Sequence, residues 1–195
     1  MLAYISWHRP ARGVQAADFE QALEHFHRSL AHRPPSGLRG SAALRARELP
    51  WLAPEGDAVG GYEDWYLVDG WSAVGVLEEA AVARGHQTSH AAVAAMVGVT
   101  KGAIYRLIDG QACLEGAPVA VWVTRSPGRA PVTIGDLLAD GMDREGAGLW
   151  RRCLGLGPAP EYCLLGAEAP AGVASSRLPA GWEATVLSRE LLWSG

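Results

Sequence analysis

Two short stretches of the chain concentrate side chains able to take and give protons. Tyr4, Ser6 and His8 occupy alternate positions in Tyr4-Ile5-Ser6-Trp7-His8, and Tyr62, Asp64 and Tyr66 do the same in Tyr62-Glu63-Asp64-Trp65-Tyr66. Alternate residues of a strand share one face. If both stretches are strands of one sheet with these residues on the same side, a histidine, a carboxylate and several phenols converge. A histidine titrates near neutrality and a carboxylate beside it steadies its charged form, which is the basis of general acid/base chemistry. His8 and Asp64 are therefore the expected catalytic pair, with Tyr4, Ser6, Tyr62 and Tyr66 as ligand contacts. A slip of one residue turns the whole set over and presents Trp7, Arg9, Glu63 and Trp65 instead. Trp7, Glu63 and Trp65 consequently stay among the ligand-binding candidates.

The remaining histidines make a poorer case for a metal. All six (His8, His25, His27, His32, His86 and His90) fall in the first 90 residues. His25 and His27 are two apart on a helix, about 200° around its axis, and cannot chelate one ion together. His86 and His90 are four apart, but Gly85 weakens a helix there and no glutamate-containing zinc motif surrounds them. No P-loop, dinucleotide fingerprint, G-x-S-x-G elbow or cysteine nucleophile motif is present. The sequence therefore leads us to expect no metal and no cofactor.

The elements that must position these groups follow from periodicity. Residues 2–8 are short, apolar and aromatic and stop at Arg9-Pro10, as a strand does. Phe19, Leu23, Phe26 and Leu30 then recur at helical spacing, on a helix that begins near Ala16 and ends before Pro34-Pro35. Leu38 to Leu49 alternates, with Leu38, Ala42 and Leu44 on one side and Arg39, Ser41, Arg45 and Arg47 on the other. Tyr62 to Val68 is an aromatic strand closed by Asp69-Gly70. Residues 71–97 are helical in composition, broken near Gly85, with Ser89 as a candidate N-cap. Ala103 to Ile108 alternates and ends at Asp109-Gly110, which gives the first half the order β-α-β-β-α-β.

The second half begins again with Val119 to Arg125 and Pro127, much as Tyr4 to Arg9 precedes Pro10. A short helical stretch from Thr133 to Met142, apolar runs at Leu149 to Leu156 and Glu161 to Leu165, and a last strand from Glu183 to Trp193 follow. Residues 170–181 are too rich in proline and glycine for a second helix. The expected fold class is α+β: two ferredoxin-like βαββαβ units, residues 1–112 and a degenerate copy at 117–195, with their sheets packed together as an intrachain α+β barrel.

On the Ser6-to-Pro10 strand end, the Phe19-to-Leu30 helix and the Tyr62-to-Val68 strand, the chain resembles the dimeric α+β barrel superfamily, in which two ferredoxin-like units pair their sheets face to face. Residues 166–181 depart from that pattern. The resemblance implies a cavity between the sheets; the superfamily holds monooxygenases that act without metals, isomerases, haem enzymes and small-molecule sensors, so it informs fold more than function. On that plan Ile5, Leu44 and Leu67 face the helices, and Tyr4, Ser6, His8, Tyr62, Asp64 and Tyr66 line the cavity. The alternative is an interface between the sheets closed by aromatic packing, with no pocket at all.

Composition narrows the partners. The 195 residues carry 17 basic and 21 acidic side chains, a net charge of -4 spread evenly along the chain. Nothing offers the basic excess of a nucleic-acid or anionic-membrane surface. One local match points the other way: Val93 to Tyr105 resembles the helix-turn-helix of TetR-type repressors, with Gly98 in the turn and Thr100 to Tyr105 opening a recognition helix. Acidic Glu78, Glu79 and Asp109 oppose that reading. Cys113, Cys153 and Cys163 are odd in number, sit in apolar surroundings and read as buried reduced thiols. The N-terminal residues lack the pattern of a signal peptide, and no apolar run reaches membrane-spanning length, which makes the cytoplasm the expected location. The expected partner is a small-molecule ligand, with neither membrane nor nucleic acid, and with self-association into a homo-oligomer left open.

Overall fold

The computed structural model describes residues 1–52, 60–83, 85–126, 146–156, 159–168 and 178–195. Eight strands form one closed antiparallel barrel. The chain runs β1 (Leu2–Pro10), α1 (Ala16–His32), β2 (Leu38–Ala46), β3 (Gly61–Val68), α2 (Trp71–Val82), α3 (Gln87–Met96), β4 (Val97–Gly110), β5 (Val119–Arg125), β6 (Gly148–Leu156), β7 (Tyr162–Gly166) and β8 (Trp182–Ser194). The apolar runs of the second half are thus strands. The expected helix at Thr133 to Met142 lies outside the described residues, as does most of the proline- and glycine-rich segment at 170–181. Among the described residues no helix is long and apolar enough to cross a membrane.

Around the barrel the order is β1-β3-β2-β8-β5-β7-β6-β4, closing on β1. Read from β4, the first four strands run β4-β1-β3-β2; read from β8, the next four run β8-β5-β7-β6, which is the same order. The α+β barrel is therefore present, and it closes by edge pairing. Ala42 to Ala46 of β2 pair with β8, and Gly102 to Gly110 of β4 pair with β6, so no strand edge is left open at these seams.

The two faces of the strands are used in the opposite sense to the one expected. Ile5, Leu44 and Leu67 point into the barrel, together with Trp7, Trp65, Trp122, Trp150 and Tyr105. Trp122 is the hub of this interior, with ring centroids 5.3 Å from Trp7, 5.4 Å from Trp51, 5.5 Å from Tyr105 and 5.9 Å from Trp65. Among the described residues the space between the sheets is filled by aromatic packing, and the cavity described below lies on the other face of the strands. The reason is solvent access. A barrel closed on all sides shields its lumen and selects apolar residues there, whereas a face covered only by separate helices can keep a wet mouth.

Four smaller expectations change with the structure. Of the three cysteines Cys163 is buried, but Cys113 is half-buried and Cys153, on β6, is exposed. Thr100 to Tyr105, the recognition helix of the helix-turn-helix reading, lie within β4, so that motif does not form. Ser89 is not the N-cap of α3: that position is His86, and the Ser89 hydroxyl donates to the His86 carbonyl at 2.9 Å from inside the first turn. Leu38 parts company with Ala42 and Leu44, because the β2-β3 register shifts between Leu38 and Gly40 and sends Leu38 to the helix side. The break between α2 and α3 falls at Gly85, whose φ of 112° is a left-handed conformation that glycine adopts without a Cβ clash.

Candidate functional site

The outer face of β1, β3 and β4 is covered by α1, α2 and α3. Helix α1 binds it through the stripe read from the sequence, Phe19, Leu23, Phe26 and Leu30, all buried, and adds His27 to the same face. Antiparallel registers set the strands: Ser6 lies opposite Asp64 on β3 and opposite Gly102 on β4, and His8 lies opposite Tyr62 and Thr100. Tyr4, Ser6, His8, Asp64 and Tyr66 therefore do converge on one face, as alternation requires. That face looks at the helices.

Between them is a cavity of about 310 Å³. Its sheet side is formed by Tyr4, Ser6, His8, Asp64, Tyr66 and Thr100. Its helix side is formed by Phe26 of α1, Leu77, Glu78 and Ala81 of α2, and His90, Val93 and Ala94 of α3, with Val97 where α3 runs into β4. Such a volume is at the lower end for small-molecule sites, and the mixture of apolar wall and a few polar groups is typical of them. Gly102 helps shape it, since a Cβ there would stand 3.2 Å from the Tyr4 ring.

Asp64 is the centre of the polar part. It is 2% exposed, and its carboxylate meets two imidazoles from opposite oxygens: His8 Nε2 is 3.4 Å from Oδ2 and His27 Nε2 is 3.3 Å from Oδ1. Tyr66 donates its hydroxyl to Oδ2 at 3.3 Å. The histidine contacts are close in charge terms but off line for hydrogen bonds, and both Nε2 atoms and Oδ1 are buried without a hydrogen-bond partner among the described residues. His27 is held from behind, with Nδ1 2.9 Å from the Ser41 hydroxyl.

Burial pulls on each of these groups. It pushes the Asp64 carboxyl up, but the charges of His8 and His27 and the Tyr66 hydroxyl outweigh it and leave the group below the ordinary aspartate value. Burial takes His8 below the usual histidine value, against the opposing pull of Asp64. Burial raises Tyr66 well above the usual phenol value, and burial followed by the Glu78 carboxylate raises Tyr4 to about 12. At neutral pH the site thus holds a carboxylate, a neutral His8 imidazole and two phenols that keep their protons. His8 can take a proton, and the imidazolium so formed has Asp64 beside it.

The other candidate residues lie elsewhere. Trp7, Glu63 and Trp65 face the barrel interior and are fully buried. There Trp7 Nε1 donates to Glu63 Oε1 at 3.1 Å and Arg189 Nη1 donates to Glu63 Oε2 at 3.2 Å. Tyr62 shares the outer face but not the cavity wall, and donates to Glu20 at 2.8 Å. Four polar residues of the site were not among the residues the sequence put forward for it: His27, Glu78, His90 and Thr100. His27 carried a signal, since it falls four after Leu23 and three before Leu30 and so shares the buried stripe. His86, four residues before His90, places Nδ1 3.1 Å from the Ser29 hydroxyl. Among the described residues no group of three or more histidine, cysteine or acidic side chains is placed to hold a metal ion.

No protein-family model matches the chain, and no curated protein matches its sequence significantly. Solved structures do match its fold. One is described as an anthrone oxidase-like protein, with a TM-score of 0.54 and 9% identity over 100% of this chain and 92% of the other. A second, described as a "putative monooxygenase" from Lactobacillus acidophilus NCFM, has a TM-score of 0.54 and 10% identity over 97% of this chain and 94% of the other. At such identities the likeness is one of fold: the chain shares the α+β barrel of these two proteins.

Proposed function

We propose that the protein binds a small, partly aromatic molecule between the outer face of its β1-β3-β4 strands and helices α1 to α3, and acts on it as an acid/base catalyst that needs no metal. In this reading His8 accepts and returns the proton, Asp64 steadies the imidazolium, and Tyr4, Ser6 and Tyr66 contact the ligand. Trp7, Glu63, Trp65 and Tyr62 drop out of the ligand set. One observation carries the proposal: His8 and Asp64, 4% and 2% exposed, stand 3.4 Å apart in the wall of a cavity flanked by Tyr4, Tyr66 and Phe26. Burial of an acid/base pair against a cavity is costly to folding and is characteristic of functional sites. The fold neighbours support it, because the anthrone named for one of them is a fused aromatic ketone with a methylene proton that such a base can remove. The repeated strand order also supports reading residues 1–112 and 117–195 as two units of the barrel.

The test is a thermal-shift screen of small aromatic compounds, anthrone included, followed by proton exchange measured by NMR in deuterated buffer. The parent protein should be stabilised by at least one compound and should exchange its acidic proton faster than buffer does. His8→Gln, which keeps most of the side-chain volume, should retain the fold and lose the exchange. Equal exchange by parent and variant would remove His8 from the chemistry, and the absence of any stabilising compound would remove the cavity reading.

A further inference from the structure

We infer that the molecule this cavity accepts is a cation: an aromatic or hydroxyaromatic body bearing a protonated amine. The inference rests on the binding site proposed above and specifies what that site selects.

Among the described residues lining the cavity, the ionisable groups besides the phenols are Asp64, Glu78, His8 and His90, with no lysine or arginine, although the chain carries 17 basic residues. Asp64 is buried and Glu78 is exposed on α2, so one carboxylate stands deep and the other toward solvent. An anionic ligand would meet both with no fixed cation to offset them, and the low dielectric around Asp64 would magnify that repulsion. A cation meets the reverse situation.

The walls favour a cation as well. The Tyr4 and Tyr66 rings are 5.9 Å apart between centroids, Phe26 is 6.4 Å from Tyr66, and His90 is 5.4 Å from Phe26. Aromatic faces attract ammonium groups through their quadrupoles, and most strongly when water is excluded. Of the Asp64 oxygens, Oδ1 faces His27 Nε2 at 3.3 Å behind the cavity, and Oδ2 stands 3.4 Å from His8 Nε2 in the cavity wall.

The proton balance agrees. If His8 takes a proton from a cationic ligand, one bond to hydrogen breaks on the ligand, one N–H bond forms on the imidazole, and the positive charge moves from ligand to His8 beside Asp64. The ligand becomes neutral, and the net charge of the cavity does not change. A neutral ligand losing a proton would instead leave an anion facing Glu78, with only hydroxyl donors and the imidazolium to steady it.

Three compounds with one body and three charges decide the matter: tyramine, 2-(4-hydroxyphenyl)ethanol and 4-hydroxyphenylacetate, titrated calorimetrically against the parent and Glu78→Gln. The parent should bind the amine about tenfold more tightly than the alcohol, and the acid most weakly. Glu78→Gln should reduce the preference for the amine, read as the ratio of amine to alcohol affinity in the variant against that in the parent. If the alcohol or the acid binds as tightly as the amine, the charge inference is overturned and the cavity reading stands. If Glu78→Gln leaves the preference intact, Glu78 is not its source and the inference fails in that part. If none of the three binds, while another neutral aromatic stabilises the protein, the cation reading is wrong; if no aromatic compound binds at all, the cavity reading falls with it.

Discussion

His27 and Tyr66 lie flat against each other, with ring planes 4° apart and centroids 5.2 Å apart. The stack joins α1 to β3 at the level of Asp64, two residues before Tyr66 on the same face. Docking the helix and orienting the carboxylate are thus one event: the ring stack places His27 Nε2 against Oδ1, while the Tyr66 hydroxyl reaches Oδ2. His27 does not line the cavity, so whatever it contributes passes through Asp64 and makes it a positioning residue.

His27→Phe keeps a ring to stack on Tyr66 and removes both nitrogens. The Ser41 hydroxyl then loses its imidazole partner and Asp64 loses one of its two flanking imidazoles, at a cost of about 1–3 kcal/mol in denaturant unfolding. A structural role would end there. A positioning role adds a second effect: the Asp64 carboxyl moves up toward the ordinary aspartate value, so the acid limb of ligand binding shifts to higher pH in the variant. An unmoved limb would reduce His27 to a packing residue.

The barrel interior gives a prediction about stability alone. Trp122 is fully buried and contacts four aromatic rings, Trp7, Trp51, Trp65 and Tyr105. Trp122→Ala should cost about 3–5 kcal/mol, since the surrounding rings come from three different strands and, for Trp51, from a 3-10 turn at Pro50–Leu52, and can collapse only in part. Urea denaturation monitored by circular dichroism measures it, and a loss below about 1 kcal/mol would mean that the interior repacks freely.

Much of this arrangement was legible because alternation is a local property. Tyr4, Ser6 and His8 had to share a face, as did Tyr62, Asp64 and Tyr66, and the structure keeps both sets together. Alternation does not say which face meets the helices. The inward set Ile5, Leu44 and Leu67 is apolar, but either side of the sheet could bury apolar residues, and only closure through β2-β8 and β4-β6 makes the lumen the drier of the two. His27 escaped for a different reason: its spacing from His25 excludes shared chelation, yet its spacing from Leu23 and Leu30 puts it under the helix. Glu78, His90 and Thr100 join the cavity through the packing of α2, α3 and β4, which no local pattern encodes.

Glu63 and Arg189 form a buried ion pair in the lumen, 3.2 Å apart, and the guanidinium also lies 5.8 Å over the Trp65 ring. Arg189→Met would strand a carboxylate in an apolar interior, and breaking one side of such a pair costs about 3–5 kcal/mol. Adding Glu63→Gln removes the stranded charge and keeps an acceptor for Trp7 Nε1, so the double variant should be more stable than Arg189→Met alone. A double-mutant cycle by chemical denaturation checks the order. A double variant less stable than the single one would show that the Glu63 charge is not what the single variant suffers from.

Acid should destabilise the protein through the same groups that make the site. His8 has a folded pKa below its ordinary value of 6.5, so as pH falls past 6.5 the unfolded chain takes up a proton that the folded one refuses. Stability is then lost on acidification through that window and levels off below the folded value. Asp64, depressed below 3.8, acts in the same direction at lower pH: its contribution is present above 3.8 and is lost as pH falls through its folded value. The two windows separate the residues. His8→Gln should flatten the dependence of unfolding free energy on pH as pH falls past 6.5, whereas Asp64→Asn should flatten the fall below 3.8. Urea midpoints taken across that range measure both. An unchanged slope near pH 6 in His8→Gln would mean that His8 is as easily protonated in the folded protein as in the unfolded chain, and would remove the neutral imidazole on which its role as proton acceptor depends.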